Sequence, residues 1–311
     1  LPKKITSTIA EKVVNHWISH LKKSPELHDK VEFDIAITTF SFDMDDKVEM
    51  LTNGVLTPPE KLVLRDSFLR QSHQLLTGSS EGSVENALSR IEVLVGKQEK
   101  HILSAGQQDI TALFELIDSC IHLGTVPFSI LARHGFIAKT ILDSLERCGI
   151  FSTQDVNHIQ SSFSTVASDL VDDMHKMQIG KLPRTSFMAK YGHLRPGTYD
   201  ILSRRYDQMT DLGVDDTSKP YKSVPVTFDL TDSQKLKINK LLQAEGYEDL
   251  NAEGLFEYIE AATVGREYGK FVFTRSVSDI LELLAEYGKK NGLSRDEMSH
   301  VPITAVLDVI T

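Results

Sequence analysis

The sequence predicts a mainly α-helical protein: a large irregular helical domain with one or two short β-strands. Apolar residues recur at three- and four-residue spacing over most of the chain, and Ser/Thr capping patterns punctuate it. Only one stretch alternates with the period of two that a half-buried strand requires. No internal repeat, heptad array or low-complexity tract is present.

A first helix is expected from Ile5 to Lys23, with Ile9, Val13, Trp17 and Leu21 on one face. Val31–Phe40 is the predicted strand: Val31, Phe33, Ile35 and Ile37 on one side, Glu32, Asp34 and Thr38 on the other. An acidic turn follows at Asp43–Asp46. After Thr57-Pro-Pro59 a helix runs to Leu76, and a Gly/Ser linker from Gly78 to Ser83 leads to another from Val84 to Ser104. A third is expected from Gln108 to Gly124, a fourth from Pro127 to Cys148 and a fifth from Ser152 to Ile179. The segment 207–225 reads as a long loop. Helices are then expected near 233–245, 252–269 and 276–290, with capping boxes at Thr231–Gln234 and Ser294–Glu297. The whole of 1–311 reads as one helical domain, with a second reading that divides it into 1–206 and 226–311.

Length and composition narrow the function. With 311 residues, 41% hydrophobic and 25% charged, the chain is long enough to bury a sizeable core. A net charge of −10 argues against a general nucleic-acid binder. No uninterrupted apolar run reaches the ~18 residues of a membrane span, so a cytoplasmic protein without membrane contact is expected. Cys120 and Cys148 read as buried free thiols of a reducing compartment. No P-loop, dinucleotide fingerprint or nucleophile elbow is present, so no nucleotide site is expected within the chain.

Candidate chemistry centres on Tyr191–Tyr206, a Gly/Pro-shaped loop. From Lys181 to Arg205 there are six Lys/Arg against one Asp. Cations on an ordered loop suggest an anion site with His193 and Arg195 as its groups; the competing reading is arginines that cap helices or pair with acids. Arg266 and Lys270 stand at i and i+4 on a helix, and two cations there suit neutralisation of a phosphoryl group in transit. The competing reading pairs Glu267 with Lys270. His134 falls on an apolar stripe between Ile130 and Ile137, as a hydrogen-bonded core residue or a pocket base. Glu32 and Asp34 share the polar side of the predicted strand and are candidates for facing a pocket. Asp43 and Asp45 begin like a calcium loop, but Lys47 and Val48 break it. His16 and His20 lack a third ligand and Ser299–His300 lacks a Gly-rich lead-in, so no metal site and no phosphorylatable histidine are expected.

Tyr191-Gly-His-Leu-Arg-Pro-Gly-Thr-Tyr-Asp200 resembles the "YGH-(R)-GPG-E-Y" loop of the phosphoenolpyruvate-synthase-like phosphotransferases. Leu27–Ala36, Gly124–Ala138 and Gly265–Phe271 extend the resemblance, which is nearer the capsule-locus L-glutamine kinase branch than the related rifampin phosphotransferase. Leu194–Arg195 departs from the Arg-Gly of many members. The family joins an ATP-grasp domain, a helical acceptor domain and a swivelling phosphohistidine domain, and this chain resembles only the acceptor domain. The resemblance therefore implies a piece of a longer enzyme, with ATP and Mg²⁺ bound outside this chain, which by itself is inactive. It implies Arg266 and Lys270 as a phosphoryl clamp, His193 as a base, and an acceptor pocket shaped by Arg195, Tyr199, Arg133, His134, Glu32 and Phe33. The expected acceptor is small and polar, such as glutamine. The alternatives are a pyruvate-accepting phosphoenolpyruvate synthase-like enzyme and a non-catalytic helical interaction module.

Overall fold

A computed structural model describes residues 1–77, 82–103, 110–212 and 227–310, with backbone only at 101–103. Its α-helices are α1 (Ser7–Lys23), α2 (Met44–Leu51), α3 (Pro58–Thr77), α4 (Val84–Leu103), α5 (Leu113–Ser119), α6 (Val126–Arg147), α7 (Thr153–Ser162), α8 (Val166–Gln178), α9 (Arg184–Tyr191), α10 (Asp232–Ala244), α11 (Ala252–Lys290), α12 (Arg295–Ser299) and α13 (Ile303–Ile310). The fold is mainly helical, and no strand occurs among the described residues. The chain forms two interleaved units rather than splitting once at 207–225. One comprises Leu1–Val84, Ala132–Phe163 and Val226–Thr263; the other comprises Glu85–Leu131, Ser164–Pro225 and Val264–Thr311.

In the first unit the core is built from Val13, Ile35, Phe40, Leu64, Phe68, Ile141, Ile159, Leu242 and Ile259. The expected strand at Val31–Phe40 is corrected. Val31–Ile35 is a π-helical turn, closed by Ala36 N donating to Val31 O at 2.8 Å. Ile37, Thr39 and Phe40 are buried in an extended segment with no ladder partner. Side chains take the place of a neighbouring strand. Ser72 Oγ accepts from Phe40 N at 3.2 Å, Ser144 Oγ accepts from Phe42 N at 3.2 Å, and Arg133 Nη2 donates to Thr38 O at 2.6 Å. Period-two burial is thus satisfied without a sheet, because the backbone groups that a ladder would pair are met by hydroxyls and a guanidinium. The acidic turn at 43–46 opens α2, whose first turn holds Asp45 and Asp46 at the helix end that favours negative charge.

In the second unit the core gathers Ile91, Leu94, Leu113, Leu131, Phe187, Tyr191, Val272, Phe273 and Leu283. Three expectations about helix extent change. Gly124 and Pro127 do not end a helix: Cys120–Thr125 forms a π-helical turn, and α5 and α6 become one run from Ile110 to Arg147. Proline has no N–H and clashes with the carbonyl four residues back, and widening the preceding turn relieves that clash. The run Ser152–Ile179 breaks at Phe163, which turns extended, and Thr165 opens α8 with a second capping box. The two helices expected between 252 and 290 are one, α11, of 39 residues. Its β-prone Phe271-Val-Phe continues the helical burial period, with Val272 and Phe273 both inside. Cys148 is exposed, against the expectation of burial, because it follows the last turn of α6. The expected loop 207–225 lies outside the described residues from 213 onward, as do Gly78–Glu81 of the expected linker and the start of the helix expected at Gln108.

By length and composition the run Ile110–Arg147 meets the requirement for crossing a membrane, and 28% of the qualifying window is buried within the fold. Its second half is tied to the first unit by Arg133 and by Arg147, whose guanidinium pairs with Asp43.

Candidate functional site

The basic loop is a closed structure whose ends are pinned to each other. Tyr206 N donates to Leu194 O at 2.8 Å and Asp207 N to Gly192 O at 3.1 Å. Gly192 is required there: a Cβ would sit 2.4 Å from Met188 O and 3.0 Å from Asp207 Cβ. Gly197 N donates to Ser203 Oγ at 2.9 Å, which shapes the tip.

The closed loop docks on α11 through His193, Arg195 and Arg205. Arg195 is 6% exposed and all its donors are committed. Nε donates to Ser278 Oγ at 3.2 Å, Nη1 to Ser203 O at 3.0 Å and Asp200 O at 3.3 Å, and Nη2 to Glu282 Oε1 at 2.9 Å and Ser278 O at 3.1 Å. Glu282 also accepts from Arg295 and Gln208. Arg205 pairs with Asp279 at 2.6 Å and with Asp207 at 3.0 Å. Arg195 and Arg205 are therefore neutralised by acids that arrive from α11, and Arg195 is a structural rivet with no donor left for a ligand.

His193 is 2% exposed, with its ring 4.8 Å from that of Phe271. Its Nδ1 accepts from Arg275 Nε at 3.2 Å, and Arg275 Nη2 reaches Ala189 O at 2.9 Å. Burial, then the charges of Arg275 and Arg205, push its pKa down to about 3. The Phe271 carbonyl works in the opposite direction, favouring the protonated ring, and Nε2 has no hydrogen-bond partner among the described residues. With Nδ1 accepting, the neutral ring carries its proton on Nε2. It is a hydrogen-bond donor, and so poorly placed to act as the expected base.

Arg266 and Lys270 lie on the same helix but not on the same side. The loop docks on the stripe Phe271, Arg275, Ser278 and Glu282. At about 100° per residue, Arg266 and Lys270 stand roughly 130° around the helix from that stripe. Lys270 is exposed, and Arg266 is half-exposed with Glu267 at 3.9 Å. One residue before each of them, Gly265 and Gly269 press into α4 and α6: a Cβ on Gly269 would lie 2.6 Å from Leu131 Cδ1. The Gly-x-x-x-Gly spacing is a packing feature, and each cation follows one of its glycines. Tyr199, in the loop, is 65% exposed.

The remaining expected residues belong to the first unit. His134 is 1% exposed and fully satisfied, with Nδ1 2.7 Å from Tyr258 Oη and Nε2 2.7 Å from Gly82 O. The carbonyl must accept, so the proton is on Nε2 and the tyrosine donates to Nδ1. Burial holds its pKa below the ordinary value. Arg133 caps the extended segment as described, Phe33 packs edge-on against Phe136 at 5.9 Å, and Glu32 is half-buried in the π turn. These are core and capping roles.

What sequence reasoning missed is a cavity of about 230 Å³ in the second unit, between α4, α5 and α11. Its polar lining includes Lys97, Gln98, Glu115, Ser119, Ser276 and Asp279. Gln98, Ser119 and Ser276 are buried, and Gln98 Nε2 spans Val272 O at 2.9 Å and Ser276 Oγ at 2.8 Å. Lys97 Nζ donates to Ser119 Oγ at 2.9 Å and stands 3.7 Å from Glu115. Asp279 joins the cavity to the loop through Arg205. Cavity walls drawn from three separated segments leave no local pattern in the sequence. Among the described residues no group of three or more His, Cys, Asp or Glu is placed to hold a metal. Comparison with protein-family models, curated proteins and solved structures gives no match.

Proposed function

We propose that this chain is the acceptor-binding domain of an ATP-dependent phosphotransferase that works through a phosphohistidine on a separate swivelling domain. The reading rests on the resemblance of Tyr191–Asp200 and Gly265–Phe271, and the observation that carries it is the cavity beside α11. Its volume of about 230 Å³ suits a small molecule, and cationic and anionic side chains share its walls. A zwitterion such as glutamine places its carboxylate at Lys97, its ammonium at Glu115 or Asp279, and its amide against Ser276 and Gln98. Lys270, exposed on another side of α11, is open to a docking phosphohistidine domain. ATP and Mg²⁺ belong to the other domains of the same cytoplasmic polypeptide.

Titration calorimetry with glutamine and with pyruvate tests the acceptor. Glutamine is expected to bind, and Lys97→Gln to weaken it about tenfold, the worth of one charged contact near 1.4 kcal/mol. In a polypeptide that also holds the ATP-grasp and phosphohistidine domains, phosphorus NMR should show ATP-dependent phosphorylation of glutamine. Arg266→Ala and Lys270→Ala should each slow it by roughly 10²-fold if they stabilise the moving charge. Binding of pyruvate alone would select the synthase-like alternative. Absence of any acceptor binding or turnover would leave the second reading, a non-catalytic helical module.

A further inference from the structure

A second concavity, in the first unit, carries charge of one sign. About 980 Å³ in volume, it is formed by the N-terminal segment and α3. Ser67, Arg70, Gln71, Gln74 and Thr77 of α3 line it at helical spacing, a polar stripe that faces a concave wall rather than open solvent. From the N-terminal segment come Lys3 and Lys4. These two are not on a trailing tail: Pro2 is buried and its carbonyl accepts from Ile5 N at 3.1 Å, so the lysines ride on a closed turn. His73 also lines the wall, its ring held by stacking on Tyr247 at 5.0 Å.

The chain has 44 acidic residues against 34 Lys and Arg, so cations ordinarily find a carboxylate. Arg65, one turn before this stripe, pairs with both Asp45 and Glu245. Lys3, Lys4 and Arg70 have no ion pair among the described residues, and Gln71 and Gln74 have no hydrogen-bond partner there. A guanidinium, two ammonium groups and two carboxamides that line one concavity, with no ion pair among the described residues, make a donor-rich surface. Its chemistry is complementary to a ligand with several oxyanion oxygens.

We infer that this cleft binds a small-molecule polyanion carrying two or more phosphate or carboxylate groups. The site is separate from the acceptor cavity and does not depend on the phosphotransferase reading. The two elements that supply its cations suit a ligand with charge at both ends, and the volume accommodates a molecule larger than a single phosphate.

Titration calorimetry of the chain with inorganic pyrophosphate, fructose 1,6-bisphosphate and citrate tests it, the first two arms reading phosphate and the third carboxylate. At least one is expected to bind with Kd below about 1 mM at low salt, weakening as ionic strength rises. Arg70→Gln combined with Lys3→Gln and Lys4→Gln should weaken it tenfold or more. Gln71→Glu, which removes no cation, should weaken it as well, and Lys97→Gln should leave it unchanged. All these side chains except Gln71 are exposed, so folding, checked by circular dichroism, is retained. Absence of binding in all three arms, or binding that is indifferent to the triple substitution, overturns the inference.

Discussion

Replacing Arg195 by methionine separates a structural arginine from a ligand-binding one. The side chain keeps its length and apolar stem but loses every donor. Removing one partner of a buried ion pair costs about 3–5 kcal/mol, chiefly because the other charge is left stranded. Here Glu282 is not stranded, since Arg295 and Gln208 still donate to it at 2.5 and 2.7 Å. That places the cost at the lower end. The buried Ser278 carbonyl and hydroxyl lose their guanidinium donors, as do the part-buried Asp200 and Ser203 carbonyls. The sum is about 3 kcal/mol, more than a hundredfold in the folding equilibrium. Arg195→Lys retains the charge but can serve only one side of the network, so it should recover less than half. Urea unfolding followed by circular dichroism reads both values, and glutamine titration of the same variants reads binding. A loss under about 0.5 kcal/mol accompanied by abolished binding would refute the structural assignment and return Arg195 to the ligand.

Three further outcomes follow from the same geometry. His193 has its pKa held down to about 3 from an ordinary value near 6.5, so below pH 6.5 the unfolded chain takes up a proton that the folded one refuses. Its stabilisation is complete above pH 6.5 and is lost as pH falls towards 3. Between pH 6 and 4 the wild type should lose up to about 1.4 kcal/mol per pH unit more than His193→Gln, and parallel pH–stability curves would contradict this. Gly192→Ala forces a methyl group to within 2.4 Å of Met188 O, and should cost more than about 2 kcal/mol while raising proteolysis within 192–207. His134→Phe leaves the Gly82 carbonyl and the Tyr258 hydroxyl unpaired, an expected cost of about 1–3 kcal/mol in thermal or urea unfolding. Equal stability of the two proteins would mean that His134 is not the satisfied core residue described.

What the amino-acid order determined by itself is what a few neighbouring residues decide. Thr231 and Ser294 cap their helices as the Thr-x-x-Gln and Ser-x-x-Glu patterns require, because both partners lie within one turn. Ile9, Val13 and Trp17 bury one face of α1 for the same reason. The i, i+4 relation of Arg266 and Lys270 was legible too, but not the side of α11 on which the basic loop lands. That is settled by Glu282 and Asp279, more than seventy residues from the arginines they neutralise. Tertiary packing likewise gave the segment 36–42 two serines and an arginine in place of a strand, and ran 252–290 through as one helix. Charge compensation and backbone pairing are completed by whichever groups the fold brings near. Separation along the chain carries no record of them.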